Sequence, residues 1–429
     1  MNIRRHLFAV TIIFLMYGHI ALATEDSMLT GTVDTNNWSE QPVNYTTENL
    51  GINLPWLDNH NGHEDISWLN TNYNSELIGQ DLYVIHTMNI TKIRTFCQME
   101  SIYNFDNGVF VLNESYAKNL DDFLNRADKY NIKVICVMGA GRNEPKDLDG
   151  EFHWELIQTP EGLQIYKNAY VSYINRFKNH TNILMWEIIN EPYGSVTWSP
   201  YAQELHVTQE QVHIFLLQSY QDIKLVAGDI PVGFSDLEEE EQTKYQLFSN
   251  SEKRKALVDD CTDIYAMHIY RNNASQVADF RSLTNKPKWV VELGAYNFND
   301  PNAENHPVGG SNELYDTDKN YASTLEISRK LVNSGFTLIM PWSFTSNNGV
   351  VIHNSDGTHS LLKLAQFMKE KLSGELSSVD HNDKVSPQIV DANSNGGTTK
   401  RIENTFRYLI SDKFSKESIY TYFKKLAGL

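Results

Sequence analysis

The sequence predicts an α/β fold, a (β/α)8 TIM barrel with a short C-terminal extension. Two observations along the chain predict it: eight short runs rich in β-branched and aromatic residues, and amphipathic helical segments lying between them. Such alternation implies parallel strands joined by crossover helices. Eight units, and the absence of a Gly-rich phosphate loop after the first run, favour a closed barrel over an open doubly wound sheet.

The runs are, in order, GINLPW (51–56), ITKIRTF (90–96), IKVICVM (132–138) and NILMWEII (182–189), followed by IKLVAG (223–228), DIYAMHIY (263–270), KWVVEL (288–293) and TLIMPWSF (337–344). Helical spacing is clearest in two of the intervening segments. Leu120, Phe123, Leu124 and Ala127 fall on one face of the first, and Ile165, Tyr166, Ala169, Tyr170, Tyr173 and Phe177 on one face of the second. The catalytic barrel is expected over residues 49–372. Beyond it, residues 373–400 are rich in Ser, Asn, Asp and Gly and read as a linker. Ser415 is then placed to cap a final helix with Ile419, Tyr422, Phe423 and Leu426 on one side, so residues 373–429 form a linker and helical extension.

The N-terminus reads as a secretory signal over residues 1–23. Arg4 and Arg5 precede an apolar stretch from Leu7 to Ile20, and Ala21-Leu22-Ala23 offers a small-residue cleavage site. A polar leader follows over residues 24–48. No later stretch is long and apolar enough to span a bilayer, so the expectation is a secreted protein, extracellular or periplasmic, with no membrane segment after cleavage. A monomer is the simplest arrangement.

Composition narrows the partner. The formal charge of −18 argues against nucleic acid, whose backbone needs a basic footprint. Aromatic residues make up 11% of the chain, a content that suits both a packed core and a surface stacking on flat neutral ligands. The three cysteines, Cys97, Cys136 and Cys261, are too few and odd in number for a disulfide framework and read as buried thiols. Neighbouring strands for Cys97 and Cys136 leave a bond between those two open. The stretch DNHNGHED (58–65) offers His60, His63, Glu64 and Asp65, but at no spacing with a clear metal geometry. The acidic run at 237–242 reads as a solvated helix face. No metal and no cofactor are expected.

In a barrel of this kind the C-terminal ends of the strands carry the site, whatever the chemistry. The first strand offers Asn53 and Trp56, the second Arg94, and the fourth Asn190 and Glu191. The sixth offers His268 and Tyr270, the seventh Glu292 and the eighth Trp342. Two carboxylates thus end strands four and seven, on opposite sides of the mouth. Glycoside hydrolysis requires such a pair, one carboxyl to protonate the leaving oxygen and one to attack the anomeric carbon or activate water. The tryptophans would present flat faces to sugar rings.

The chain resembles the clan A retaining glycoside hydrolases, and most of all the family 5 cellulase and β-mannanase group, from about Leu50 to Lys371. WEIINEP (186–192) carries the resemblance most strongly. It implies Glu191 as acid/base and Asn190 as the residue contacting the 2-hydroxyl. KPKWVVELGAYN (286–297) implies Glu292 as nucleophile. IRTF, MHIY and MPWSF imply supporting roles for Arg94, His268 and Tyr270, and a sugar platform at Trp342. The chain departs from the family's pattern at Leu293, where an aromatic usually follows the nucleophile, and at Gly139-Ala140-Gly141, where a polar residue often lines the pocket. No clear ligand stands on the expected fifth strand, although Asp229 and Asp236 lie just after it. The implied reaction is double displacement on a β-linked glycan, leaning to β-1,4-mannan with β-1,4-glucan next. A transglycosylase on the same site and a glycan-binding barrel without activity are the competing readings.

Overall fold

The computed structural model describes residues 45–55, 69, 73–141, 152–237, 257–269, 284–294, 318–344, 350–353 and 359–376. Its centre is one sheet of eight strands in the order β1-β2-β5-β6-β7-β8-β9-β10. These are β1 (Ile52–Asn53), β2 (Lys92–Phe96), β5 (Lys133–Val137), β6 (Ile183–Asn190), β7 (Val232–Leu237), β8 (Tyr265–Ile269), β9 (Lys288–Leu293) and β10 (Leu338–Pro341). Every neighbouring pair is parallel. A parallel bridge from Leu50 to Ile339 joins the last strand to the first, so the sheet closes into a (β/α)8 TIM barrel.

The helices form where the sequence places apolar faces and caps. Asn113 accepts bonds from the amides of Ser115 and Tyr116 and starts helix Glu114–Lys129, which buries Ala117, Leu120, Phe123, Leu124 and Ala127. Thr159 caps helix Pro160–Phe177, with Pro160 in its first turn, and Tyr166, Ala169, Tyr170, Tyr173 and Phe177 face inward. Ile165, expected on that face, is only half-buried.

The fifth strand is not where the sequence suggested. Residues 223–227 complete helix Gln209–Ala227, and the strand is Val232–Leu237. The reason is periodicity over a longer window. Val212, Phe215, Leu216, Tyr220, Ile223 and Ala227 share the buried side of one helix, started by a Thr208–Gln211 capping box. It ends at Gly228, whose φ of +63° an L side chain rarely adopts. A short window over 223–228 shows only the apolar residues, which either element could use.

Two features add to the barrel. After β2 the chain makes a hairpin of β3 (Tyr103–Asp106) and β4 (Val109–Leu112), and after β10 a ribbon of β11 (Val351–His353) and β12 (His359–Leu361). Helix Lys363–Leu376 runs four residues past the expected end of the barrel domain. The expected signal, all but the last four residues of the leader, and the final helix near Ser415 lie outside the described residues, as do Trp56, Tyr270, the 58–65 stretch and nearly all of the acidic run. Among the described residues no helix is long and apolar enough to cross a membrane.

The barrel interior is layered. Ile135, Met185, Ala266, Leu338 and Met340 belong to one buried apolar cluster within the barrel. Charged side chains lie nearer the C-terminal ends of the strands. Cys97, Cys136 and Cys261 are buried free thiols. Burial pushes the Cys97 thiol upward in pKa, and its hydrogen-bonded neighbour Cys136 adds to the shift.

Candidate active site

The backbone sets the first carboxylate. Strand β6 ends as Pro192, which lacks an amide proton, opens the short helix Pro192–Trp198. Glu191 sits at the junction with φ +44° and ψ +52°, a left-handed conformation that costs a non-glycine residue about 1–3 kcal/mol. Its neighbours hold it there. The Glu191 amide donates to the Ser235 carbonyl at 3.0 Å, and the Glu191 carbonyl accepts from the Ser195 amide at 2.8 Å. The second carboxylate, Glu292, lies on β9, where the pairing with β8 shifts register between Met267 and His268 so that His268 stands opposite Glu292.

Arg94 links these elements. Its guanidinium is buried and donates to Glu187 through Nε (2.8 Å) and Nη2 (2.7 Å), a bidentate pair. Nη1 donates to Glu292 Oε1 at 2.6 Å and to Asn53 Oδ1 at 3.2 Å, while Nη2 also reaches Asn190 Oδ1 at 2.6 Å and Ser235 Oγ at 3.2 Å. The Ser235 hydroxyl in turn donates to Glu187. Burial works against the guanidinium's charge, but Glu187 and Glu292 outweigh it and raise its pKa. Arg94 therefore pairs with Glu187 and supports the mouth at the same time. One planar fork does both.

His268 is fully buried and faces both carboxylates through one atom. Nδ1 lies 2.6 Å from Glu191 Oε1 and 3.4 Å from Glu292 Oε2. Burial pushes its pKa down, and Arg94 adds to that. Glu292 and Glu191 together overcome both, so the net shift is upward and the imidazolium is favoured. One ligand-type atom from each of Glu191, His268 and Glu292 lies within 4.8 Å of the others.

The remaining expected residues divide. Asn53 donates through Nδ2 to the Val291 carbonyl at 2.6 Å and to those of Met340 and Pro341 at 3.3 Å, tying the first strand to the seventh and eighth. Asn190 is buried between Arg94 and strand β5, its amide donating to the Gly139 carbonyl at 2.9 Å. Trp342 is half-buried with the Phe96 ring set edge-on at 6.5 Å, and it precedes a cis peptide bond to Ser343. The Gly139-Ala140-Gly141 corner is small because it is crowded. A Cβ on Gly141 would stand 2.5 Å from Trp154 and 2.7 Å from Ser195.

Sequence reasoning missed Ser235. The misplaced fifth strand hid it, and the alternation Ser235-Asp236 after the apolar Val232 and Phe234 becomes readable only once that strand is set at Val232–Leu237. Gly233 in the same strand packs so closely on Thr262 that an added Cβ would stand 1.9 Å from its Oγ1.

The fold and the converging carboxylates define a class, a (β/α)8 barrel with two buried carboxylates meeting at one end of its strands. Residues 56–213 match the family model described as glycosyl hydrolases family 2, TIM barrel domain. No curated protein sequence matches the chain. Among solved structures, a β-mannanase from the blue mussel Mytilus edulis is 18% identical, with a TM-score of 0.52 over 75% of this chain and 90% of that one. An endo-1,4-β-mannanase from Eisenia fetida is 16% identical, with a TM-score of 0.51 over 75% and 90%. The exo-β-1,4-mannosidase Op5Man5 from Opitutaceae bacterium strain TAV5 is 14% identical, with a TM-score of 0.54 over 77% of this chain and 60% of that one. At these identities the likeness is one of fold.

Proposed function

We propose that this protein is a secreted, retaining β-glycoside hydrolase of the family 5 type, acting on a β-linked glycan and leaning to β-1,4-mannan. The observation that carries this reading is the convergence of Glu191 and Glu292 on His268, with an oxygen of each carboxylate within 4.8 Å of the other. Retaining enzymes hold their two carboxyls about 5–5.5 Å apart, whereas inverting ones leave about 6.5–9.5 Å for a water. The short separation supports double displacement. The fold likeness to mannanases supports the substrate class.

In this reading Glu292 is the nucleophile. Arg94 at 2.6 Å favours its ionised form and fixes the oxygen it does not use. A Glu292 oxygen forms the bond to the anomeric carbon as the bond to the leaving sugar breaks. The departing oxygen keeps that electron pair and takes a proton from Glu191. Glu191 then accepts a proton from water as the water oxygen bonds to the same carbon, and Glu292 leaves as carboxylate. The sugar keeps its configuration after two inversions. His268 is the positioning residue between the two carboxyls, and Trp342 presents an apolar ring face to a sugar. The reaction needs no cofactor. Residues 1–23 as a cleaved signal and residues 49–372 as the catalytic domain complete the proposal.

The test is reducing-sugar release from β-mannan, β-1,4-glucan, β-1,3-glucan and xylan, with Glu292→Ala as control. Release from one polymer that disappears in the variant is the expected result. No release from any polymer with glycan binding intact would replace the hydrolase with a glycan-binding barrel.

A further inference from the structure

The trio at the mouth has a second chemical identity. Glu191, His268 and Glu292 are all buried, and each offers one donor atom in a group no more than 4.8 Å across. The atom at its centre is an imidazole nitrogen, Nδ1, set 2.6 Å and 3.4 Å from two carboxylate oxygens. One imidazole and two carboxylates form a three-ligand donor set of the kind that holds a divalent metal ion. Zinc bonds to such atoms are about 2.0–2.2 Å long, which places tetrahedral ligands about 3.3 Å apart. The two spacings from Nδ1, 2.6 and 3.4 Å, bracket that value, and the two carboxylate oxygens stand within 4.8 Å of each other, so side-chain adjustment would close the site.

Charge points the same way. Three carboxylates, Glu187, Glu191 and Glu292, meet at Arg94 and His268, a setting that attracts a cation, which would displace the proton that Nδ1 shares with Glu191. Arg94 lies against Glu292 Oε1, while Oε2 is the oxygen turned towards His268. The guanidinium and an ion at Nδ1 therefore use different oxygens. Imidazole with carboxylate suits the borderline ions Zn²⁺, Co²⁺, Ni²⁺ and Cu²⁺. Ca²⁺ and Mg²⁺ prefer oxygen ligands alone and in greater number.

We infer that Glu191, His268 and Glu292 bind one divalent transition-metal ion of the zinc type, and that this ion inhibits the enzyme by occupying both carboxylates at once. The inhibition rests on the function proposed above; the binding does not. The ion is no cofactor, since it ties up the groups that would carry the reaction.

Titration of the full chain with CoCl2, read by the visible absorption of bound Co²⁺ and by equilibrium dialysis, tests the binding. One ion per site, displaced by ZnCl2 and unaffected by MgCl2 or CaCl2, is expected. The competing donors His60 and His63 are controlled with a His60→Ala/His63→Ala double variant, which should keep the bound ion. His268→Asn and Glu191→Gln should each weaken binding about tenfold or more with circular dichroism unchanged. Should His268→Asn fail to fold, Glu191→Gln decides alone. Retention of full affinity in Glu191→Gln, or loss of the ion in the double variant, overturns the site. The two proposals separate cleanly. A chain that binds Co²⁺ through His268 but cleaves no glycan keeps the metal site and loses the hydrolase. A chain that cleaves glycan without slowing in ZnCl2 loses the inhibitory site alone.

Discussion

Glu187 and Glu292 are held by opposite ends of one side chain. Arg94 grips Glu187 with Nε and Nη2 at 2.8 and 2.7 Å and Glu292 with Nη1 at 2.6 Å, so the second, fourth and seventh barrel strands are cross-linked by a single guanidinium. The position of one carboxylate at the mouth thus depends on a second that points into the barrel. Removing the cation strands two buried carboxylates, and breaking a buried pair costs about 3–5 kcal/mol.

Arg94→Met should therefore lower the melting temperature and reduce kcat by about 100-fold or more, since misplacing a reacting group by about 1 Å costs that much. Arg94→Lys should keep part of the stability but not the activity, because an ammonium cannot span both carboxylates. Thermal unfolding and steady-state kinetics measure the two effects. An active Arg94→Lys enzyme would mean that the fork geometry is irrelevant to the site.

Replacing His268 with Gln should move the acid limb of the pH profile. The imidazolium, favoured by Glu292 and Glu191 against its own burial, stabilises ionised carboxylates beside it. Its loss raises their apparent pKa values, which belong to the coupled group rather than to either residue. The acid limb of kcat/KM should shift to higher pH, alongside a fall in kcat. An unchanged limb would remove His268 from the titrating group.

Glu100 offers a stability test away from the mouth. It is buried, and desolvation raises its pKa from 4.5 to about 8, with the backbone and the Tyr166 hydroxyl opposing. Tyr166 lies 3.4 Å from Oε1. An acid whose folded pKa is raised gives stability that is fully present below the unfolded value and declines as pH rises towards the folded one. The loss should therefore spread between about pH 4.5 and 8 and amount to a few kcal/mol. Glu100→Gln should flatten that slope and be more stable than the parent at pH 8. Urea unfolding at pH 5 and pH 8 would show it, and parallel pH dependence in the two proteins would count against a buried neutral acid.

Gly233→Ala should destabilise by about 1–3 kcal/mol through overpacking. The new methyl would stand 1.9 Å from Thr262 Oγ1 and 2.8 Å from its Cβ, and Thr262 is itself engaged with the Ile264 carbonyl. Activity per folded molecule should fall less than stability, because Gly233 is not among the acceptors around Arg94. A neutral melting temperature would show that Thr262 yields freely.

The sequence by itself determined the barrel, the strand ends that carry Glu191 and Glu292, and the helix faces. Each of these is a local signal. Apolar alternation, a capped amphipathic period and an acidic residue closing an apolar run are all written within a few turns of chain. The fifth strand was lost because 223–228 reads the same in a helix and a strand over so short a window, and only Thr208, Gln211 and Gly228 mark the helix that contains it. Tertiary structure alone decided which polar residues meet. Arg94, Glu187, Ser235 and Glu292 come from four strands and stand 48 to 198 positions apart, and nothing in their spacing records that one guanidinium joins them. Barrel closure does, because it turns equal heights on separate strands into a single buried layer, where charges are stable only when they find one another.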